Sequence, residues 1–182
     1  MRTDLESIVG HIQTVAGETG IPSYAIEQAI NSSASLEFET NYKTPKAIEG
    51  HFYSKMALLF EDISYYKSRG KVPELSIGET KAKELVRTYC ERAAQCFVEA
   101  VENPDEYQKM GTLIHNAGNV FIGLIKDAEK RGVDRNKMIS MYDQILQSPC
   151  ATRDFLGEAQ YNECVLKRVN GTGAQELIEK YH

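Results

Sequence analysis

The sequence predicts an all-α fold, and three observations lead there. Apolar residues recur every three or four positions through most segments, the period of a helix with one buried face. Capping residues and glycine or proline stops punctuate those segments at helical lengths. Strand-like runs are confined to short pieces such as "VLKRV" at 165–169. Its 182 residues suit one domain, residues 1–182, read as a bundle of about seven or eight helices. Residues 1–43 form a candidate N-terminal helical subdomain within it.

Taken in order, Thr3-x-x-Glu6 is a capping box that opens a helix to about Val15, with Leu5, Ile8, Val9, Ile12 and Val15 on one face. Gly17 and Gly20 close it. Pro22 and Ser23 start a shorter helix over "SYAIEQAI", which fades in "NSSAS". Thr44-Pro45 supplies an N-cap and a first-turn proline, and the helix then runs to Arg69-Gly70. Its predicted core face is Phe52, Met56, Leu59, Phe60, Ile63 and Tyr66. Ser76-x-x-Glu79 caps the next helix, which carries Leu85, Val86, Tyr89, Ala93, Cys96, Phe97 and Ala100. Asn103-Pro104-Asp105-Glu106 places a cap, a proline and two acids at the positive end of a helix dipole. That helix ends at Arg131-Gly132. Asp134 caps another to about Gln147, Thr152 one through Val169, and Thr172-x-x-Gln175 a last short one.

The helix at roughly 104–131 is expected to be central, with Leu113, Ala117, Val120, Phe121, Leu124 and Ala128 on one apolar face. Its interior glycines each cost about 1 kcal/mol against alanine, so Gly111, Gly118 and Gly123 should have a packing or functional reason. Gly111 and Gly118 are seven apart and share a stripe where a second helix could approach closely. His115, Asn116 and Asn119 occupy the rest of the circumference, as a solvated surface or as a polar seam.

Composition narrows the function classes. The hydrophobic share of 42% and the charged share of 26% are those of a globular chain, and no apolar run reaches membrane-spanning length. The acids in "MRTDLESIVGHIQ" interrupt the apolar core that a secretory signal needs, so an intracellular, cytoplasmic location is expected. Cys90, Cys96, Cys150 and Cys164 are then expected as thiols. Net charge is −5, and residues 1–70 carry six Lys/Arg against nine Asp/Glu. With no basic cluster, nucleic acid and membrane surfaces are not expected partners.

Signals of chemistry are weaker than signals of fold. The four histidines are scattered, and no spacing places two metal ligands on one helix face, so no metal and no cofactor is expected. No cysteine or serine is paired with a base, so no catalytic residue is assigned. Glu61-Asp62 is a carboxylate pair on a helix, with Glu61 opposite the core face, and a solvated pair is the expectation.

Two segments resemble known families. Glu91-Arg92-x-x-Gln95 and Asn116-x-x-Asn119 stand where all-α NTP pyrophosphatases carry the E-E-x-x-E and E-x-x-D of their magnesium site, and "GVDRNKMISMYDQI" resembles that family's last helix. Of the five acids only Glu91 is present, so the resemblance implies a degenerate magnesium site that binds a nucleotide in a polar cleft. Glu91, Gln95, His115, Asn116 and Asn119 are the ligand-binding candidates. An enzyme of this descent would be a nucleotide pyrophosphohydrolase. The stretch "TPKAIEGHFYSKMALL" at 44–59 is similar to the end of the recognition helix in tetracycline-repressor-like regulators, which implies a ligand-responsive DNA-binding protein. The first 52 residues, with three cations against seven acids, depart from that pattern.

The reading favoured by the residues is a non-enzymatic helical module that binds a protein partner or itself, as a homo-oligomer such as a dimer, in a regulatory role. Ten tyrosines and no tryptophan support it, since tyrosine buries its ring at interfaces while its hydroxyl stays bonded. Tyrosines exposed together in one patch would strengthen the case.

Overall fold

A computed structural model describes residues 4–34, 36, 46–102, 120 and 123–147. Five helices are bounded there: α1 (Asp4–Thr19), α2 (Ser23–Ser32), α3 (Lys46–Ser68), α4 (Glu79–Glu102) and α5 (Arg135–Gln147). A helical stretch at 123–126 leads through turns to Gly132. Among the described residues there is no strand, and the all-α class holds. Thr3, Thr44-Pro45, the Asn103 cap, Gly111, Gly118 and the helices expected after Thr152 and Thr172 lie outside the described residues. The expected number of seven or eight helices therefore extends beyond them.

Helix ends follow local chemistry. The chain leaves α1, α3 and the 123–132 segment through Gly20, Gly70 and Gly132, at φ of 73°, 68° and 68°, the left-handed region that glycine enters without steric cost. Asp134 Oδ1 accepts from the backbone nitrogens of Asn136 and Lys137 at 2.9 and 3.1 Å, the N-cap of α5. Three boundaries differ from expectation. The helix expected to reach Arg131-Gly132 gives way to turns from Asp127 onward. Helix α1 continues through Gly17 to Thr19, because Gly17 sits in open space at a helical φ and does not break the ladder. Ser76 does not cap α4: its hydroxyl donates to the Asn31 carbonyl at 2.5 Å, satisfying an orphan acceptor at the end of α2. Gly78 takes the capping position, its carbonyl accepting from Ala82 N at 3.0 Å.

Three ion pairs define how α1 lies on α3. Asp4 meets Lys71 just past α3, His11 meets Asp62, and Glu18 meets Lys55, at 3.0, 3.0 and 2.9 Å. Rising numbers on one helix match falling numbers on the other, so the two run antiparallel, with partners on α1 spaced two turns apart. Beneath them Ile8, Ile12 and Val15 are buried, whereas Val9 is 40% exposed and leaves the predicted face. Helices α3 and α4 also pair antiparallel, from Lys46 with Glu99 to Phe60 with Tyr89. Their core includes Phe52, Met56, Leu59, Phe60 and Ile63 from α3, and Leu85, Val86, Tyr89, Ala93, Cys96, Phe97 and Ala100 from α4. Ile26 and Ile30 of α2 and Met138, Tyr142 and Ile145 of α5 belong to the same cluster.

The close approach of two helices occurs at Gly50. A Cβ there would stand 2.9 Å from the Phe97 ring and 3.2 Å from the Ala93 carbonyl oxygen, so the α3–α4 contact needs a residue without a side chain. Gly123, expected to have a packing reason, has nothing within 4 Å of its missing Cβ.

Candidate functional site

Helix α4 is the wall shared by two surface depressions. The smaller is a cleft of about 290 Å³ between α4 and α5, lined by Thr88, Glu91, Arg92, Gln95, Lys137, Met138 and Met141. The sequence pattern places it: residues 88, 91, 92 and 95 recur at three- and four-residue steps and form one stripe beside the buried face of α4. Glu91 accepts from Arg87 Nε at 3.1 Å and Gln95 Nε2 donates to Glu99 at 3.1 Å. The Arg92 guanidinium carbon lies 5.5 Å from the centre of the Tyr53 ring, a cation–π placement that orients its planar fork.

The larger depression is a groove of about 640 Å³ between α3, α4 and the turns before α5. Ser64 and Val86 are its buried residues, and its walls carry Tyr65, Lys83, Arg87 and Lys130. At one end Arg131, its side chain 7% exposed, reaches Glu61 with Nη2 at 2.9 Å and Nε at 3.0 Å, and Asp127 at 3.2 Å. Lys130 adds a contact to Glu61 at 2.5 Å. Burial raises the Glu61 carboxyl, but Lys130 and Arg131 outweigh it and hold the group below the ordinary carboxylate value. Glu61 thus departs from the expected solvated pair, whereas Asp62 stays exposed. Glu61 ties the turns to α3, and Asp62 bonds His11. Arg131 was legible in the sequence only as a residue before a helix-ending glycine, since its partner lies 70 positions away.

Tyr65 is 49% exposed, and Arg69 stacks on its ring at 4.1 Å. Tyr24 is exposed too, whereas Tyr53, Tyr89 and Tyr142 are core residues. Much of the tyrosine content of the described residues therefore serves packing, and the sequence argument from abundance narrows to Tyr65 and Tyr24.

Both described thiols are poor nucleophiles. Burial pushes Cys90 and Cys96 up to about 12, far above the range in which a thiolate forms at neutral pH. Near Cys96, Lys46 bridges Glu49 at 2.7 Å and Glu99 at 3.4 Å, so the buried Glu49 carboxylate has a counter-charge.

Of the sequence candidates, the structure brings Glu91 and Gln95 together in the α4–α5 cleft. His115, Asn116 and Asn119 lie outside the described residues. The cleft adds Thr88 and Arg92 from α4 itself, and Lys137, Met138 and Met141, which join it only through the docking of α5. Residues 46–51, which the repressor resemblance would place in a separate exposed helix, are the start of the 23-residue α3, with Ala47, Glu49 and Gly50 buried. No family model, curated protein or solved structure matches the chain. Among the described residues no helix is long and apolar enough to cross a membrane.

Proposed function

We propose that this chain is a non-enzymatic helical module that binds a protein, and that the groove between α3, α4 and the turns at 127–132 is its binding face. The observation that carries this reading is Tyr65. It presents half its surface at the groove wall, and Arg69 stacked on the ring restricts its motion. Tyrosine and arginine are both enriched among the residues that dominate interface energies, and a braced ring has little side-chain entropy left to lose on binding. The Glu61–Arg131 tie fixes the groove's far end, so its shape is formed before any partner arrives.

The test compares the wild-type chain with Tyr65→Ala/Arg69→Ala. Cross-linking and mass spectrometry on native lysate, alongside sedimentation equilibrium of the pure chain, read partner binding and self-association separately. A specific partner or a second copy that engages the groove in the wild type and is lost in the double variant is the expected result. Equal retention by both proteins overturns the assignment.

A further inference from the structure

The groove between α3, α4 and the turns at 127–132 is a neutral face on an acidic chain. Net charge is −5, yet the groove is lined by four carboxylates and four cations, so two copies of the chain can bring these faces together without net repulsion between them. Most of those charges are closed within the chain. Lys83 meets Glu79 at 2.5 Å, Glu84 meets Lys81 at 2.8 Å, Arg87 meets Glu91 at 3.1 Å, and Lys130 and Arg131 both hold Glu61. Two exposed charges at the groove form no ion pair among the described residues: Glu129 in the turns, and Arg69 just past α3. They are opposite in sign and stand on either side of Tyr65. Lys130, next to Glu129, contacts Glu61, one turn before Tyr65 on α3, which sets Glu129 at that end. Arg69 follows Tyr65 by four residues and stacks on its ring at 4.1 Å. The order along the groove is therefore acid, aromatic ring, base.

We propose that the occupant of this groove is a second copy of the chain, docked about a two-fold axis at Tyr65 so that Arg69 of each copy meets Glu129 of the other. The inference rests on the protein-binding reading above and names its partner. In a two-fold interface a patch meets its own reverse, so a contact from one residue to another is made twice. An acid, a ring and a base in line satisfy that condition: acid meets base at both ends and ring meets ring at the centre. A patch with like charges at its two ends would repel its own reverse. Tyr65, 49% exposed, supplies apolar ring surface for the second Tyr65 to cover. Exposed ion pairs add little affinity by themselves, so ring burial supplies the binding and the two Arg69–Glu129 pairs fix the orientation.

Sedimentation equilibrium of the full chain at low salt tests the proposal, with Arg69→Glu, Glu129→Arg and the double variant that carries both. The wild type should dimerise as its concentration rises. Each single variant sets like charges against each other at both contacts and should weaken the dimer about tenfold or more. An equimolar mixture of the two single variants should dimerise as well as the wild type, because one copy then carries only acids and the other only bases at these positions. The double variant should dimerise with itself for the same reason. A wild type that stays monomeric at millimolar concentration overturns the proposal; if Tyr65→Ala/Arg69→Ala still loses a lysate protein that the wild type captures, the protein-binding reading stands without it. A dimer that neither single variant weakens, or that the mixture fails to restore, also overturns it. Arg69 and Glu129 are exposed, so each variant should fold, and circular dichroism verifies this.

Discussion

Gly50 of α3 lies directly against the ring of Phe97 of α4, with room for a hydrogen and none for a methyl group. A Cβ at Gly50 would come within 2.9 Å of the ring and 3.2 Å of the Ala93 carbonyl oxygen. Phe97 is 1% exposed, so the ring has little space to turn away.

Gly50→Ala should therefore destabilise the fold by about 1–3 kcal/mol despite alanine's better helix propensity, since overpacking forces backbone or ring to move. Gly17→Ala and Gly123→Ala, where nothing stands within 4 Å, should stabilise it by about 0.5–1 kcal/mol. Urea denaturation of the three variants reads both signs. A stabilised Gly50→Ala would mean that α3 and α4 cross elsewhere.

Tyr89 joins the core to the chain before α3. Its hydroxyl oxygen accepts from Leu36 N at 2.7 Å, and its ring stacks between Tyr53 and Phe60 at 6.0 and 5.5 Å. Tyr89→Phe keeps the stack and strips the amide of that acceptor, at a cost of about 1–2 kcal/mol. Hydrogen exchange at Leu36 should accelerate while exchange inside α4 is preserved below the global unfolding limit.

Acid should loosen the tie between α3 and the turns before α5. The Glu61 carboxyl, pushed up by burial but brought below its ordinary value by Lys130 and Arg131, binds its proton less readily folded than unfolded. Its stabilisation is present above the unfolded carboxylate value of about 4.3 and is lost as pH falls through the lower folded value. His51, lowered by burial and by Lys55, acts in the same direction, its contribution fading as pH falls below about 6.5. The urea midpoint of the wild type should exceed that of Glu61→Gln at pH 7, and the gap should close as pH falls toward 3. A gap that is constant with pH would show that the carboxylate charge is not what holds Arg131.

The two thiols among the described residues should resist modification. With Cys90 and Cys96 both raised to about 12 by burial, iodoacetamide at pH 8 should label neither in the folded chain and both in denaturant, as peptide mapping would show. Native labelling at Cys96 would point to an opening of the α3–α4 contact near Glu49.

What the sequence determined by itself is local. Asp134 and Gly70 mark helix ends because a cap or a left-handed turn is decided within a few residues, and they stand where the pattern placed them. The three-and-four periodicity likewise selected the buried face of α4, since a helix fixes which of its own residues point together. The resemblance to the pyrophosphatase motif grouped Glu91 with Gln95, one turn apart on that helix. What only the tertiary structure decided depends on partners far apart in the chain. Glu61 reads as a solvated acid until Arg131 arrives from 70 positions away, and Gly50 reads as an ordinary weak helix position until Phe97 closes on it. Lys137 becomes a cleft residue only when α5 docks beside α4. Helix periodicity specifies a face, but which surface meets that face, and at what register, is set by the joint packing of all the helices.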